Sequence, residues 1–163
     1  MSAGGNARFI AFEGGEGTGK STQARLLAER LRARNLDTVL TREPGGTPGA
    51  EAIRTLLLDP PGEGWPMRAE ALLFAAARAD HVARRIRPAL DAGAWVVCDR
   101  FADSTMAYQG YAMGLGRDAV ETLTHITTAG FAFTAASPLL MGGPKRTSAT
   151  CRINTGTPLF SLI

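Results

Sequence analysis

The sequence predicts an α/β fold with a parallel sheet flanked by helices. Three observations predict it. Arg8-Phe9-Ile10-Ala11-Phe12 is an apolar run of strand length. It is followed by a glycine-rich stretch, Gly14 through Ser21, that fits G-x-x-x-x-G-K-[ST]. Behind that stretch, residues 23–31 are good helix formers, and further strand-like runs at 38–41 and 94–98 alternate with helical segments. Strands alternating with helices after a phosphate-binding loop imply a parallel sheet.

Taken in order, the first strand feeds a loop whose glycines let successive N–H groups turn inward around a phosphate. The helix that follows adds the partial positive charge of its N-terminus. Lys20 reaches the β- and γ-phosphates, and the Ser21 hydroxyl can ligate Mg²⁺. A plain glycine turn between strand and helix is the alternative, which the correct flanks on both sides disfavour. The second strand runs into the turn-rich stretch Arg42-Glu43-Pro44-Gly45-Gly46-Thr47-Pro48-Gly49. Residues 50–58 read as a helix with Ile53, Leu56 and Leu57 on one face. A loop marked by Pro60-Pro61-Gly62 precedes a long helix over 68–90, whose apolar positions include Leu72, Leu73, Ala76, Val82 and Ile86. The strand at 94–98 ends in Asp99-Arg100. A helical segment at 104–109, a three-glycine loop at 110–116 and a helix at 118–128 follow.

A chain of 163 residues suits one domain. Hydrophobic and charged contents of 45% and 20% fit a soluble globular protein, and no apolar run approaches the ~18 residues of a membrane span. The N-terminal residues lack the apolar core of a signal peptide, so a cytoplasmic location is expected. Cys98 and Cys151 form neither a disulfide framework nor a metal cluster. The net charge of +3 arises entirely from Lys145, Arg146 and Arg152, because Glu121 is the last acidic residue. Three dispersed charges without interleaved aromatic residues do not make a nucleic-acid surface.

In a parallel sheet the strand C-termini face the ligand crevice. Lys20, Ser21, Arg42, Asp99 and Arg100 are therefore expected to converge. An apolar strand ending in Asp fits a carboxylate that holds Mg²⁺ directly or through water, with a helix cap or an Arg100 salt bridge as the structural alternative. Arg42 and Arg100 suit a second anionic substrate. Phe74 and Arg78, one helical turn apart, can present a stacking ring and a hydrogen-bond donor on one face. Thr105, Tyr108 and Gln109 can cluster by the same spacing.

Four segments now carry a family likeness. Phe12-Glu13-Gly14-x-Glu16-Gly17-x-Gly19-Lys20-Ser21-Thr22, Thr41-Arg42-Glu43-Pro44-Gly45-Gly46-Thr47, Leu73-Phe74-Ala75-Ala76-Ala77-Arg78 and Asp99-Arg100-Phe101-x-x-Ser104-Thr105-x-Ala107-Tyr108-Gln109-Gly110 closely resemble bacterial thymidylate kinase. The match covers roughly residues 8–131. The resemblance implies a P-loop nucleoside monophosphate kinase fold and phosphoryl transfer from ATP-Mg²⁺ to dTMP, a step of dTTP synthesis. It implies an ATP-binding loop of Gly14, Gly15, Glu16, Gly17, Thr18, Gly19, Lys20, Ser21 and Thr22. Ser21 and Asp99 would serve Mg²⁺, and Lys20, Glu16, Arg100 and Asp99 would form the catalytic set. Glu16 would bond the deoxyribose 3′-OH or its water and metal environment. Arg54 and Arg100 would hold the dTMP phosphate, with Arg42 structural or phosphate-directed. Phe74 would stack on thymine, while Arg78, Thr105 and Gln109 bond its edge beside Ser104. Tyr108 would crowd the sugar 2′ position. The resemblance also implies a homodimer and no nucleic-acid or membrane partner.

The likeness stops after Phe131, where the chain has neither the expected strand nor the arginine-rich lid. The first domain is accordingly bounded at 1–131, and 132–163 is an atypical tail, read as out of frame or disordered, with a genuine divergent tail as the alternative. Translating the other frames past codon 131 discriminates these. The fold is expected to be incomplete at the C-terminus, with an open edge on the first strand and residues 137–141 too short to fill it. Because Gly15 to Thr18 contain no Arg or Lys, impaired activity is expected without a lid arginine. Two other functions remain open: a catalytically inactive nucleotide-binding fragment, and a kinase for another nucleoside monophosphate.

Overall fold

The computed structural model describes residues 8–102 and 117–128, together with the backbone of two further strands, 138–140 and 148–153. In order, the elements are β1 (Phe9–Glu13), α1 (Lys20–Ala33), β2 (Thr38–Arg42), α2 (Pro48–Leu58), α3 (Met67–His81), α4 (Arg87–Asp91), β3 (Trp95–Asp99), α5 (Arg117–Thr128), β4 (Pro138–Leu140) and β5 (Ser148–Ile153). The sheet order is β2-β3-β1-β5-β4. β3 lies between β2 and β1 and is parallel to both.

β1 is buried along its whole length, and its alternation splits the core in two. Ile10 and Phe12 face α1, where they pack with Ala24, Ala28, Leu31, Trp95 and Val97. Phe9 and Ala11 face the other way, onto Val82, Ile86, Val96, Cys98 and Phe101. Each fully buried large side chain contributes roughly 1.5–3 kcal/mol relative to exposure. In α1, Ala24, Ala28 and Leu31 recur at the spacing of one helix face, so small residues bring the helix close to the sheet. α2 starts at an N-cap, Thr47, whose hydroxyl accepts from Ala50 N at 3.2 Å, with Pro48 in the first helical turn.

The single long helix expected over 68–90 is instead interrupted. Val82–Ile86 forms a π-helical segment between α3 and α4. Pro88 explains its place: it cannot donate to the carbonyl four residues back, and its ring crowds that carbonyl, so a wider turn directly ahead relieves both. Some apolar positions also point outward. Leu72 is 58% exposed, Leu56 43% and Leu58 67%.

The other side of the sheet differs from expectation as well. β1 has no open edge, because β5 pairs with it antiparallel, with Ile10 opposite Ile153 and Glu13 opposite Thr150. β4 then pairs antiparallel with β5. The sheet is thus mixed rather than wholly parallel. Residues 138–140 are indeed short, but they form the outer strand and begin at Pro138, a tolerated position for proline. Among the described residues no helix is long and apolar enough to cross a membrane.

Candidate active site

Gly14 to Ser21 links β1 to α1 at the C-terminal edge of the parallel strands. Gly17 and Gly19 adopt φ of 71° and 81°, in the left-handed region that a side chain resists. The Thr18 hydroxyl donates to Gly15 O at 2.9 Å. Lys20 is buried, and its ammonium donates to Gly15 O and, at 3.3 Å, to Thr18 Oγ1. Burial lowers the Lys20 pKa, and Arg100 adds repulsion, partly offset by Asp99, Glu13 and Glu16. The loop therefore holds a desolvated cation beside a second cation, a place where an anionic phosphate is favoured.

Asp99 ends β3 opposite this lysine. Its Oδ2 accepts from the Ser21 hydroxyl, while Oδ1 is buried without a partner among the described residues. An orphaned carboxylate oxygen beside a hydroxyl fits a hard cation. Mg²⁺ takes one or two protein oxygens and completes its shell with water and substrate phosphates. Among the described residues no cluster of three or more His, Cys, Asp or Glu could hold a metal by itself.

Arg100 adopts φ 69°, unusual for a non-glycine residue. Its N–H donates to Phe12 O at 2.9 Å and its Nη1 to Gly14 O at 3.3 Å. The buried Glu13 carboxylate accepts from Phe101 N at 2.7 Å. These bonds hold a left-handed backbone that turns the Arg100 side chain toward the phosphate loop. Strain of this kind, about 1–3 kcal/mol, persists where surrounding structure over-determines it and gathers at functional sites.

Glu16, Ser21, Arg42, Arg54, Asp99 and Arg100 line one open cavity of about 910 Å³, large enough for two nucleotides' reacting ends. Of the residues expected to converge, Ser21, Arg42, Asp99 and Arg100 line it, while Lys20 does not. Arg42 pairs with Glu51 at 3.1 Å, and Arg54 Nη1 donates to Pro44 O at 2.9 Å. Two expected residues lie elsewhere. Phe74 is half-buried and outside the cavity lining. Arg78 is 4% exposed, donates from Nε to Glu43 at 2.8 Å and from Nη2 to Phe101 O at 3.2 Å, and lies over the Phe101 ring. It is held from within rather than standing free on a helix face. Ser104, Thr105, Tyr108 and Gln109 lie outside the described residues.

Glu43, Thr47, Glu51 and Arg85 also line the cavity, though sequence reasoning gave them no role. Glu51 accepts from Gly46 N at 2.9 Å and pairs with Arg42, so it fastens the 43–47 loop to α2. The Gly46 N–H, followed by the Arg42 side chain, holds the Glu51 carboxyl below the usual carboxylate range despite some burial. A lowered carboxylate pKa stabilises the fold above the unfolded-state value, and that contribution is lost as pH falls through the folded-state value. Glu51→Gln keeps an acceptor for Gly46 and removes the charge. It is expected to cost at most about 1 kcal/mol at neutral pH, since the pair is solvent-screened. In acid the gap to the unsubstituted chain should close. Thermal melts from neutral to acidic pH check this, and a gap independent of pH would contradict it.

With this geometry in place, the comparisons with known proteins are direct. The Thymidylate kinase family model matches residues 12–129. The chain belongs to the thymidylate kinase family. The thymidylate kinase of Rhizorhabdus wittichii is 68% identical over 124 residues, which span 76% of this chain and 60% of that protein. The thymidylate kinase of Afipia carboxidovorans is 59% identical over 123 residues, 76% of this chain and 54% of that protein. The crystal structure of thymidylate kinase from Ehrlichia chaffeensis superposes with a TM-score of 0.69 at 44% identity, covering 73% of this chain and 64% of that one. The chain thus spans little more than half the length of these curated thymidylate kinases, and the shared part ends close to where the sequence likeness does.

Proposed function

We propose that this thymidylate kinase family chain binds ATP-Mg²⁺ and dTMP in the cavity described and transfers the γ-phosphoryl group to dTMP, giving dTDP and ADP. The observation that carries the reading is the meeting of the Lys20 loop, the Ser21–Asp99 pair and the Arg42, Arg54 and Arg100 guanidinium groups in one cavity. In this reading the loop N–H groups and Lys20 cradle the ATP phosphates. Ser21 and Asp99 would hold Mg²⁺, which would supply neutralising charge beside the β- and γ-phosphates. Arg54 and Arg100 hold the dTMP phosphate in line with the donor. Arg42 supports that anion or, through Glu51, the loop beside it. Glu16 reaches the deoxyribose. Phe74, Arg78, Ser104, Thr105, Tyr108 and Gln109 form the thymine and sugar side. Catalysis is then positioning and charge neutralisation without a covalent intermediate.

The exposed Leu56 and Leu58 of α2, Leu72 of α3 and Ile126 of α5 lie on elements that pack together, α2 on α3 and α3 on α5. We assign this apolar surface to a homodimer, and the chain to the cytoplasm. Residues 132–163 are assigned to a tail outside the motif-bearing kinase part, although β5 and β4 within it extend the same sheet.

The test is ADP release with ATP-Mg²⁺ and each of dTMP, dUMP, dCMP and dGMP. Turnover with dTMP above the others is expected. Preference for another nucleotide would reassign the acceptor. Binding of both nucleotides without turnover would make the chain an inactive binding fragment.

A further inference from the structure

One buried titratable group takes no part in the mechanism above. His81, the last residue of α3, is fully buried, and both ring nitrogens are engaged. Nε2 lies 2.7 Å from Thr41 Oγ1 on β2. Nδ1 lies 3.1 Å from Glu43 Oε1. The other Glu43 oxygen accepts from Arg78 Nε at 2.8 Å. Arg78 in turn donates to Phe101 O just beyond β3. The chain Thr41–His81–Glu43–Arg78–Phe101 thus ties β2, α3 and the segment after β3 together beneath the cavity, and Thr41 and Glu43 themselves line it.

Glu43 and Arg78 form an ion pair, and the ring geometry accommodates a donor from Nδ1 to Glu43 with the Thr41 hydroxyl at Nε2. The ring is also the floor of the neighbouring loop. A Cβ at Gly46, where φ is +87°, would stand 2.6 Å from His81 Nε2, so loop backbone rests directly on the imidazole.

Resting on the proposed dTMP site, we propose that His81 is a positioning residue for the acceptor side of the cavity. It fixes Glu43, and through Glu43 the guanidinium of Arg78, without touching nucleotide. The donor side depends on it less: the side-chain bonds of Lys20 and of the Ser21–Asp99 pair do not involve His81, and its link to the network is backbone, Glu43 N–H to Asp99 O at 3.0 Å.

The experiment is equilibrium binding of dTMP and, separately, of ATP-Mg²⁺ to the full chain, with a thermal melt of every variant. His81→Leu is expected to weaken dTMP by about tenfold or more, since small misplacements of binding groups carry large penalties, and to change ATP by less than about twofold. His81→Asn keeps a donor near the Nδ1 position and should restore most of the dTMP affinity. His81→Gln, which places its amide near Nε2 instead, should not. If His81→Leu does not fold, Thr41→Val and His81→Asn carry the test. Thr41→Val removes only the hydroxyl bonded to the ring and should weaken dTMP selectively. Parallel loss of both nucleotides, or His81→Asn as weak as His81→Gln, would overturn the proposal. An unsubstituted chain that binds both nucleotides, with variants that bind dTMP equally well, would overturn it alone. An unsubstituted chain that binds ATP and no dTMP would overturn the acceptor assignment and the proposal with it.

Discussion

Glu43→Gln is expected to destabilise the chain by about 3–5 kcal/mol, the range for stranding one partner of a buried ion pair. Glu43 is 6% exposed, and each of its oxygens has its own donor, Arg78 Nε on one side and His81 Nδ1 on the other. A glutamine can offer only one acceptor there. Its amide nitrogen must face a donor, and Arg78 loses the charge of the carboxylate it pairs with. Urea unfolding at neutral pH measures the effect, with the midpoint moving and the slope unchanged. A change below about 1 kcal/mol would mean that Arg78 finds another acceptor, and the Glu43 link in the buried chain would fail with it.

Lys20→Met should have the opposite profile. Phosphoryl transfer is expected to fall by about 10²–10³-fold, the loss typical of removing one preorganised charge-stabilising donor. Stability should not fall. The lysine is desolvated and repelled by Arg100, which together outweigh the attraction of Asp99, Glu13 and Glu16, so an apolar side chain of similar length relieves a conflict. ADP release assays and thermal melts check the two halves separately. A variant that melts well below the unsubstituted chain would show that the loop needs the ammonium for its own fold. Undiminished turnover would remove Lys20 from the catalytic set.

The two cases differ in how far sequence could foresee them. The loop that carries Lys20 was legible because it follows from a local motif: strand, glycine loop and helix occur in one continuous stretch. Asp99 and Arg100 were placed correctly for a topological reason, since parallel strands bring their C-termini to one edge. The left-handed backbone of Arg100 was not legible, because it depends on bonds to Phe12 and Gly14, more than 80 residues earlier. Arg78 was read from helical spacing as one of a pair on a face. Spacing reports what shares a face, not what lies opposite, and the carboxylate opposite belongs to Glu43, 35 residues away. Glu43 itself sat in a recognised motif without any assigned chemistry. The π-helical segment had a local signal in Pro88 that helical periodicity alone concealed. Residues 148–153 had no such signal, because their strand follows from the unsatisfied edge of β1 rather than from their own pattern.

The strand order has a consequence for how the molecule comes into being. β1 and β2 are successive in the chain but never touch; β3 is inserted between them. No pair of adjacent strands can therefore form within residues 8–94, and the first parallel contact joins Thr38 to Trp95. Closing a loop of that length is slow, because its entropy must be lost before the ladder rewards it. Helices can form early, each from local contacts. The phosphate loop cannot be anchored early: the carboxylate and guanidinium that face it arrive only with residues 99 and 100. A chain made from its N-terminus carries the glycine-loop motif for most of its described length before it carries the residues that face it.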